Sequence, residues 1–109
     1  MAITQGFATS FKVQVLDGVH AFGTAVVRGA TTPDVFKIAL YTSAATLGPT
    51  TTVYSATNEV VGTGYSAGGA TLTTTAPTST STTAWLDFDD VTWASSTITA
   101  NGALIYNSS

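Results

Sequence analysis

The chain has 109 residues, a net charge of −3 and no cysteine. This size fits one domain, 1–109, burying roughly two-thirds of the surface its unfolded form exposes, and disulfide frameworks, cysteine-based metal sites and cysteine nucleophiles are excluded. Charged residues make up 8% of the chain, against roughly 25% in ordinary soluble domains. Its only basic residues, Lys12, Arg28 and Lys37, form no cluster to neutralise phosphates or grip an anionic membrane, so neither nucleic acid nor membrane is an expected partner.

The opening MAITQGFATSFK lacks the basic start and apolar run of a secretory signal, and no stretch approaches the ~20 apolar residues of a membrane span. A soluble chain that bypasses secretion is expected. From Thr4 to Phe22, Phe7, Phe11, Val15 and Val19 recur at every fourth position, an apolar stripe that predicts an N-terminal helix within residues 1–22. Phe11, Val13 and Val15 also alternate as a strand would, and Gly18 weakens a helix by about 1 kcal/mol relative to alanine; the helix is the favoured reading.

Residues 23–34, GTAVVRGATTPD, hold turn formers around a short Ala-Val-Val run, and Pro33 marks a break. The β-rich part follows, over 35–109. In VFKIALYTS, Phe36, Ile38 and Leu40 alternate with Lys37, Ala39 and Tyr41, which predicts a half-buried strand. Thr52-Val53-Tyr54 is a short candidate strand, Asn58-Glu59 a turn, and Gly69 to Thr75 a strand rich in β-branched residues. The low-complexity run TTTAPTSTSTT, residues 73–83, reads as a strand end and an exposed loop. AWLDFDDVTW, Ile98 and Ala103 to Tyr106 complete the series, with Asn101-Gly102 a strong hairpin signal. Short strands separated by turns predict a small antiparallel β-sandwich, jelly roll or barrel behind an N-terminal helix.

Gly64 to Gly68 spells G-x-S-x-G around Ser66. A nucleophile elbow needs a strand before the serine, a helix after it, and a histidine and acid to orient it. Here a strand-forming stretch follows, and the only histidine, His20, precedes the serine, out of the order such hydrolases use. A glycine-hinged bend is the favoured reading and no enzyme is predicted. The Gly62, Gly64, Gly68 pattern misses the dinucleotide fingerprint, and no cofactor is expected.

Asp87, Asp89 and Asp90 are the only acidic cluster. Their spacing is not that of an EF-hand loop, so a solvated strand face is favoured over a metal site. His20, beside Phe22 at the end of the predicted helix, suits a structural role near the helix dipole. Trp85 and Trp93 would share a face of a regular strand, as core packing or, less favoured, as a carbohydrate platform.

FKIALYTSAATLG, the run from Tyr54 to Val60, GTGYSAGGATL and DVTWASSTITANGALIYN together span nearly the whole chain. As blocks they resemble a family of small virion structural proteins of tailed bacteriophages. The resemblance implies a head decoration or cement protein on the capsid exterior, made in the host bacterial cytoplasm, whose partner is the major capsid protein and which forms dimers or trimers on the virion. A tail or fibre component that contacts host glycans is the alternative. Family members have a more polar first helix than KVQVLDGV, and they continue with further β structure past ALIYN; the resemblance therefore implies a closing strand that is missing, supplied by a neighbour or unnecessary. A nearly uncharged surface agrees with this reading, because contacts between identical copies otherwise set like charges against each other. Phe7, Phe11 and Val15 either seal the chain's own core or bind a partner; with Tyr41 and Tyr65 they are the candidate interface residues. An uncharged strand edge is further expected to pair with another chain.

Overall fold

The computed structural model describes residues 3–17, 19–22 and 33–109. The predicted Ala25-Val26-Val27 run, Arg28 and Gly18 lie outside them. Among the described residues the elements are one helix, α1 (Thr9–Leu16), and five strands: β1 (Phe36–Tyr41), β2 (Ala70–Leu72), β3 (Thr78–Thr80), β4 (Thr83–Trp85) and β5 (Gly102–Asn107). The chain is a small, mainly-β domain with a short N-terminal helix and two antiparallel sheets, one of three strands in the order β2-β1-β5 and one hairpin, β3-β4.

β1 is the central strand. Phe36 and Ile38 stand opposite Leu72 and Ala70 of β2, and Ile38, Ala39 and Leu40 opposite Ile105, Leu104 and Ala103 of β5. Because side chains alternate across a strand, Phe36, Ile38 and Leu40 share one face with Leu72 and Ile105. Lys37, Ala39 and Tyr41 share the other with Leu104 and Tyr106. Both faces are covered, which the alternation alone did not separate. The second face is the more deeply sealed: Ala39, Tyr41 and Ala45 are buried there, with Leu47, Tyr54, Leu104 and Tyr106 packed on them.

The first face is sealed at its Phe36 end by aromatic rings. Phe22 stacks on Phe36 at 4.4 Å between centroids, and Phe88 and His20 lie 6.0 and 6.1 Å from it. Such offset and tilted contacts add to simple area burial. His20 also acts as a clasp. Its Nε2 lies 2.9 Å from Gln14 Oε1 and its Nδ1 2.9 Å from Asn107 Nδ2, and the same Nδ2 donates to Asp34 Oδ2 at 2.8 Å. Asp34 also accepts from the Ala21 N–H, and these two bonds, the backbone one foremost, hold its carboxyl below the usual range. The helix-dipole reading of His20 fails, since α1 ends at Leu16.

Several predicted elements are shorter or differently placed. The N-terminal helix is eight residues, not the span from Thr4 to Phe22, and none of its residues is buried. No strand forms at Thr52–Tyr54. The expected loop at 73–83 instead holds most of the β3-β4 hairpin, whose two-residue turn begins at Ser81 with φ 55°, the handedness a tight hairpin requires. AWLDFDDVTW is a strand only up to Trp85, continued by a single bridge from Thr74 to Phe88. Asn101-Gly102 starts β5 after a bend, since Ile98 is no strand and its neighbour Thr97 bridges to Thr63.

Candidate functional site: a buried carboxylate and an exposed apolar end

Glu59 is the chain's only glutamate. A turn places it: the Glu59 N–H donates to the Ala56 carbonyl at 3.1 Å, and Asn58 takes a left-handed φ of 63°, tolerated by asparagine better than by most residues. Asn58 Nδ2 pins the turn by donating to the Ala44 carbonyl. Glu59 then bridges to Tyr41, and the Val60 N–H donates to Leu40 O at 2.9 Å, extending the sheet on the β2 side of β1.

Opposite Tyr41, the Glu59 side chain turns to the sealed face and is only 7% exposed. A buried carboxylate needs donors to replace water. It has three: Tyr54 Oη donates to Oε1 at 2.5 Å, while Tyr65 Oη and the Gly68 N–H, at 2.8 Å, donate to Oε2. Tyr65 Oη also accepts from the Leu40 N–H at 2.9 Å, and Tyr106 Oη donates to the Gly68 carbonyl at 2.7 Å. Tyr54 stacks on Tyr106 at 4.6 Å. Hydrogen bonding to Glu59 is the main reason Tyr54 is pushed up to about 12, whereas burial leads for Tyr65, Tyr41 and Tyr106, all three raised.

This network explains the glycine-rich stretch. Gly69, at φ 80°, lies so close to β1 that a Cβ would come 1.8 Å from Ile38 O, and a Cβ on Gly64, at φ 86°, would come 2.7 Å from Ser96 Cα. The segment is a tight bend laid on the sheet and tied to Glu59. The Ser66 carbonyl accepts from the Gly69 N–H at 3.0 Å and β2 starts at Ala70, so strand rather than helix follows the serine. His20 bonds Gln14 and Asn107, which places it in the aromatic clasp and not beside Ser66.

The other predicted positions divide cleanly. Tyr41 is buried, its hydroxyl donating to Ser55 O at 2.7 Å, and Tyr65 is half-buried in the carboxylate network. Both hydroxyls serve the domain's own architecture: Tyr41, expected as an interface residue, is sealed inside, and Tyr65 spends its hydroxyl on Leu40 and Glu59. Phe7 and Val15 form the opposite case, and Phe11, half-buried, falls between the two cases. Phe7 is 68% exposed and stacks on Phe11, which in turn leans on His20 and Phe22. Val13, Val15, Val19 and Leu16 are exposed as well, Leu16 by 89%.

An eight-residue helix does not persist unaided in water, and α1 lacks a capping side chain and helpful end charges. It is held from its flanks. Ile3 bridges to Leu47, the Thr4 N–H donates to the Leu47 carbonyl, and the Thr9 N–H to the Pro49 carbonyl at 2.8 Å. The result is a tethered segment with apolar side chains facing water.

Asp87, Asp89 and Asp90 are exposed, and Asp87 Oδ1 is taken by the Phe88 N–H at 2.8 Å. Among the described residues no group of three potential ligands is assembled for a metal. Trp85 lies exposed on β4, whereas Trp93 is half-buried with its ring 5.9 Å from Tyr65, so the expected regular strand joining them does not form. Among the described residues no helix is long and apolar enough to cross a membrane. Compared with known protein families, curated proteins and solved structures, the chain matches none of them.

Proposed function

We propose that this chain is a non-enzymatic structural protein of a tailed-bacteriophage virion, a head decoration or cement protein that binds the outer surface of the major-capsid shell. The observation that carries the reading is the tethered N-terminal segment, with Phe7, Val13, Val15, Leu16 and Val19 exposed on a chain that is only 8% charged. Large apolar side chains left exposed along one segment suit an interaction surface. Sparse charge lets identical copies crowd on a shell without repulsion. The partner in this proposal is taken from the resemblance read in the sequence blocks.

The contact is apolar, so it is nearly independent of ionic strength. Co-sedimentation of the protein with assembled heads tests this: binding is expected to persist from about 0.1 M to about 1 M salt, and release by modest salt overturns the mechanism. One observation favours a second reading, a tail or fibre component that touches glycans. Trp85, 48% exposed on its hairpin, offers a ring for stacking on a sugar, and specific retention on a host-glycan array that is lost in Trp85→Ala would establish it.

A further inference from the structure

The edge of the three-stranded sheet at β5 can be read from the direction of its backbone groups. Leu40 directs its N–H and C=O to Tyr65 and Val60 on the β2 side, while the Tyr41 carbonyl takes the Asn101 N–H on the β5 side. Backbone groups alternate in direction along a strand, so the inward residues of β1 are Lys37, Ala39 and Tyr41, facing Tyr106, Leu104 and Gly102. Ala103, Ile105 and Asn107 therefore turn their N–H and C=O groups away from β1. Among the described residues β1 is the sole strand neighbour of β5.

Natural edges are guarded by lysine, proline, a bulge or brevity. β5 has none of these in its six residues, GALIYN, and carries no charge. Its register with β1 is unbroken from Phe36↔Asn107 to Tyr41↔Gly102.

We propose that two copies of this chain join through antiparallel β5–β5 pairing about a twofold axis at Ile105, making one continuous six-stranded sheet. In that register Ile105 meets its own counterpart, and Ala103 of each copy faces Asn107 of the other. A twofold contact must be self-complementary. β5 is, because no like charges oppose each other and the outward donors and acceptors match. Side chains agree with the backbone. Ile105 is 52% exposed and stands opposite Ile38 on the same face, so pairing converts two half-exposed isoleucines into an unbroken isoleucine row across both sheets. The Asn107 amide keeps its bonds to Asp34 and His20, since these lie on the side-chain face and not along the edge. This pairing stands independently of the virion reading and is read on the isolated full chain.

Sedimentation equilibrium of the purified chain is expected to show a dimer at both low and high salt. Ile105→Lys, which sets two ammonium groups against each other, and Ile105→Pro, which removes only an outward N–H, are expected to halve the mass while leaving the circular dichroism of the monomer unchanged. A cysteine placed at 105 in this cysteine-free chain is expected to oxidise to a covalent dimer, as Cα atoms across such a pair lie within disulfide reach. A wild-type chain that stays monomeric at millimolar concentration overturns the proposal. So does a dimer that survives both substitutions, or one dissolved by Leu16→Glu, which would place the contact on α1.

Discussion

Individual residues carry most of the order around Glu59, where one carboxylate fixes two phenols and a backbone N–H at once. Removing it leaves those donors without acceptors, and each unsatisfied buried donor costs roughly 1–3 kcal/mol. Glu59→Ala is therefore expected to lower unfolding stability by about 3 kcal/mol or more, measured by urea denaturation. Glu59→Gln should cost markedly less, because its carbonyl still accepts from Tyr65 and Gly68 while its amide donates to the Tyr54 hydroxyl, whose oxygen can also accept. Equal losses in the two variants would show that side-chain volume, and not acceptor capacity, is what matters there. Two neighbouring glycines give an equally sharp contrast. Alanine at Gly69 must pass through Ile38 O, whereas at Gly68, with φ 93°, its nearest neighbour is Tyr106 Oη at 3.6 Å. Gly68→Ala is expected to cost about 1–2 kcal/mol for the left-handed backbone alone. Gly69→Ala should cost about 2 kcal/mol more, from overpacking against the sheet, and thermal unfolding of the two variants side by side tests the order.

At the level of elements, the four tyrosines link the turn at Glu59, the glycine bend, β1 and β5 into one titrating unit. Each has its phenol pushed up, Tyr54 to about 12. The neutral phenol is thus the form the fold prefers. For an acid whose folded value lies above its unfolded one of about 10, the stabilisation is fully present below that pH and is lost as pH rises towards 12. Tyr54 ionisation is expected only as pH approaches about 12, together with loss of the β-sheet signal. Reversible ionisation of Tyr54 near the ordinary phenol value of about 10, with the sheet intact, would contradict this.

The same elements show how far sequence reasoning reaches. β1 was legible because FKIALY alternates, but alternation alone does not say which face is sealed more deeply. Ala39 and Tyr41 hold that face because a small residue and an amphipathic ring are both compatible with burial once a second layer supplies a hydroxyl acceptor, here Ser55 O. The helix stripe at Phe7, Phe11, Val15 and Val19 located α1 but overran it, since a period set by apolar residues extends a helix only when a core receives them, and none of α1 is buried. β3-β4 was hidden in a threonine- and serine-rich run, where side-chain contrast is absent and a turn such as Ser81 carries no glycine to announce it. Glu59 passed as a turn former. The signal that could have found it was a lone glutamate between Tyr54 and Tyr65 in a chain so poor in charge.

For the molecule as a whole, the division of labour between its two ends gives the most direct test of the proposed role. The sheet, the carboxylate network and the aromatic clasp account for internal cohesion, and among the described residues no buried side-chain polar atom is left without a partner. The N-terminal segment contributes little to that cohesion beyond Phe11, because Val13 and Leu16 are exposed. Substituting exposed side chains away from special backbone sites typically changes stability by less than about 0.5 kcal/mol. The double variant Val13→Lys, Leu16→Lys is therefore expected to unfold at the same denaturant concentration as the parent within that margin. If this segment meets the capsid, however, the variant must desolvate two ammonium groups against an apolar partner. Loss of head binding by tenfold or more, about 1.4 kcal/mol or greater, is the expected outcome. Unchanged binding with unchanged stability would remove the N-terminal segment from the contact and with it the main structural support for a cement role. A parallel fall in stability would instead make these side chains part of the core. Binding and unfolding must therefore be measured on the same preparation, since only their separation distinguishes a surface kept for a neighbour from one that merely failed to be buried.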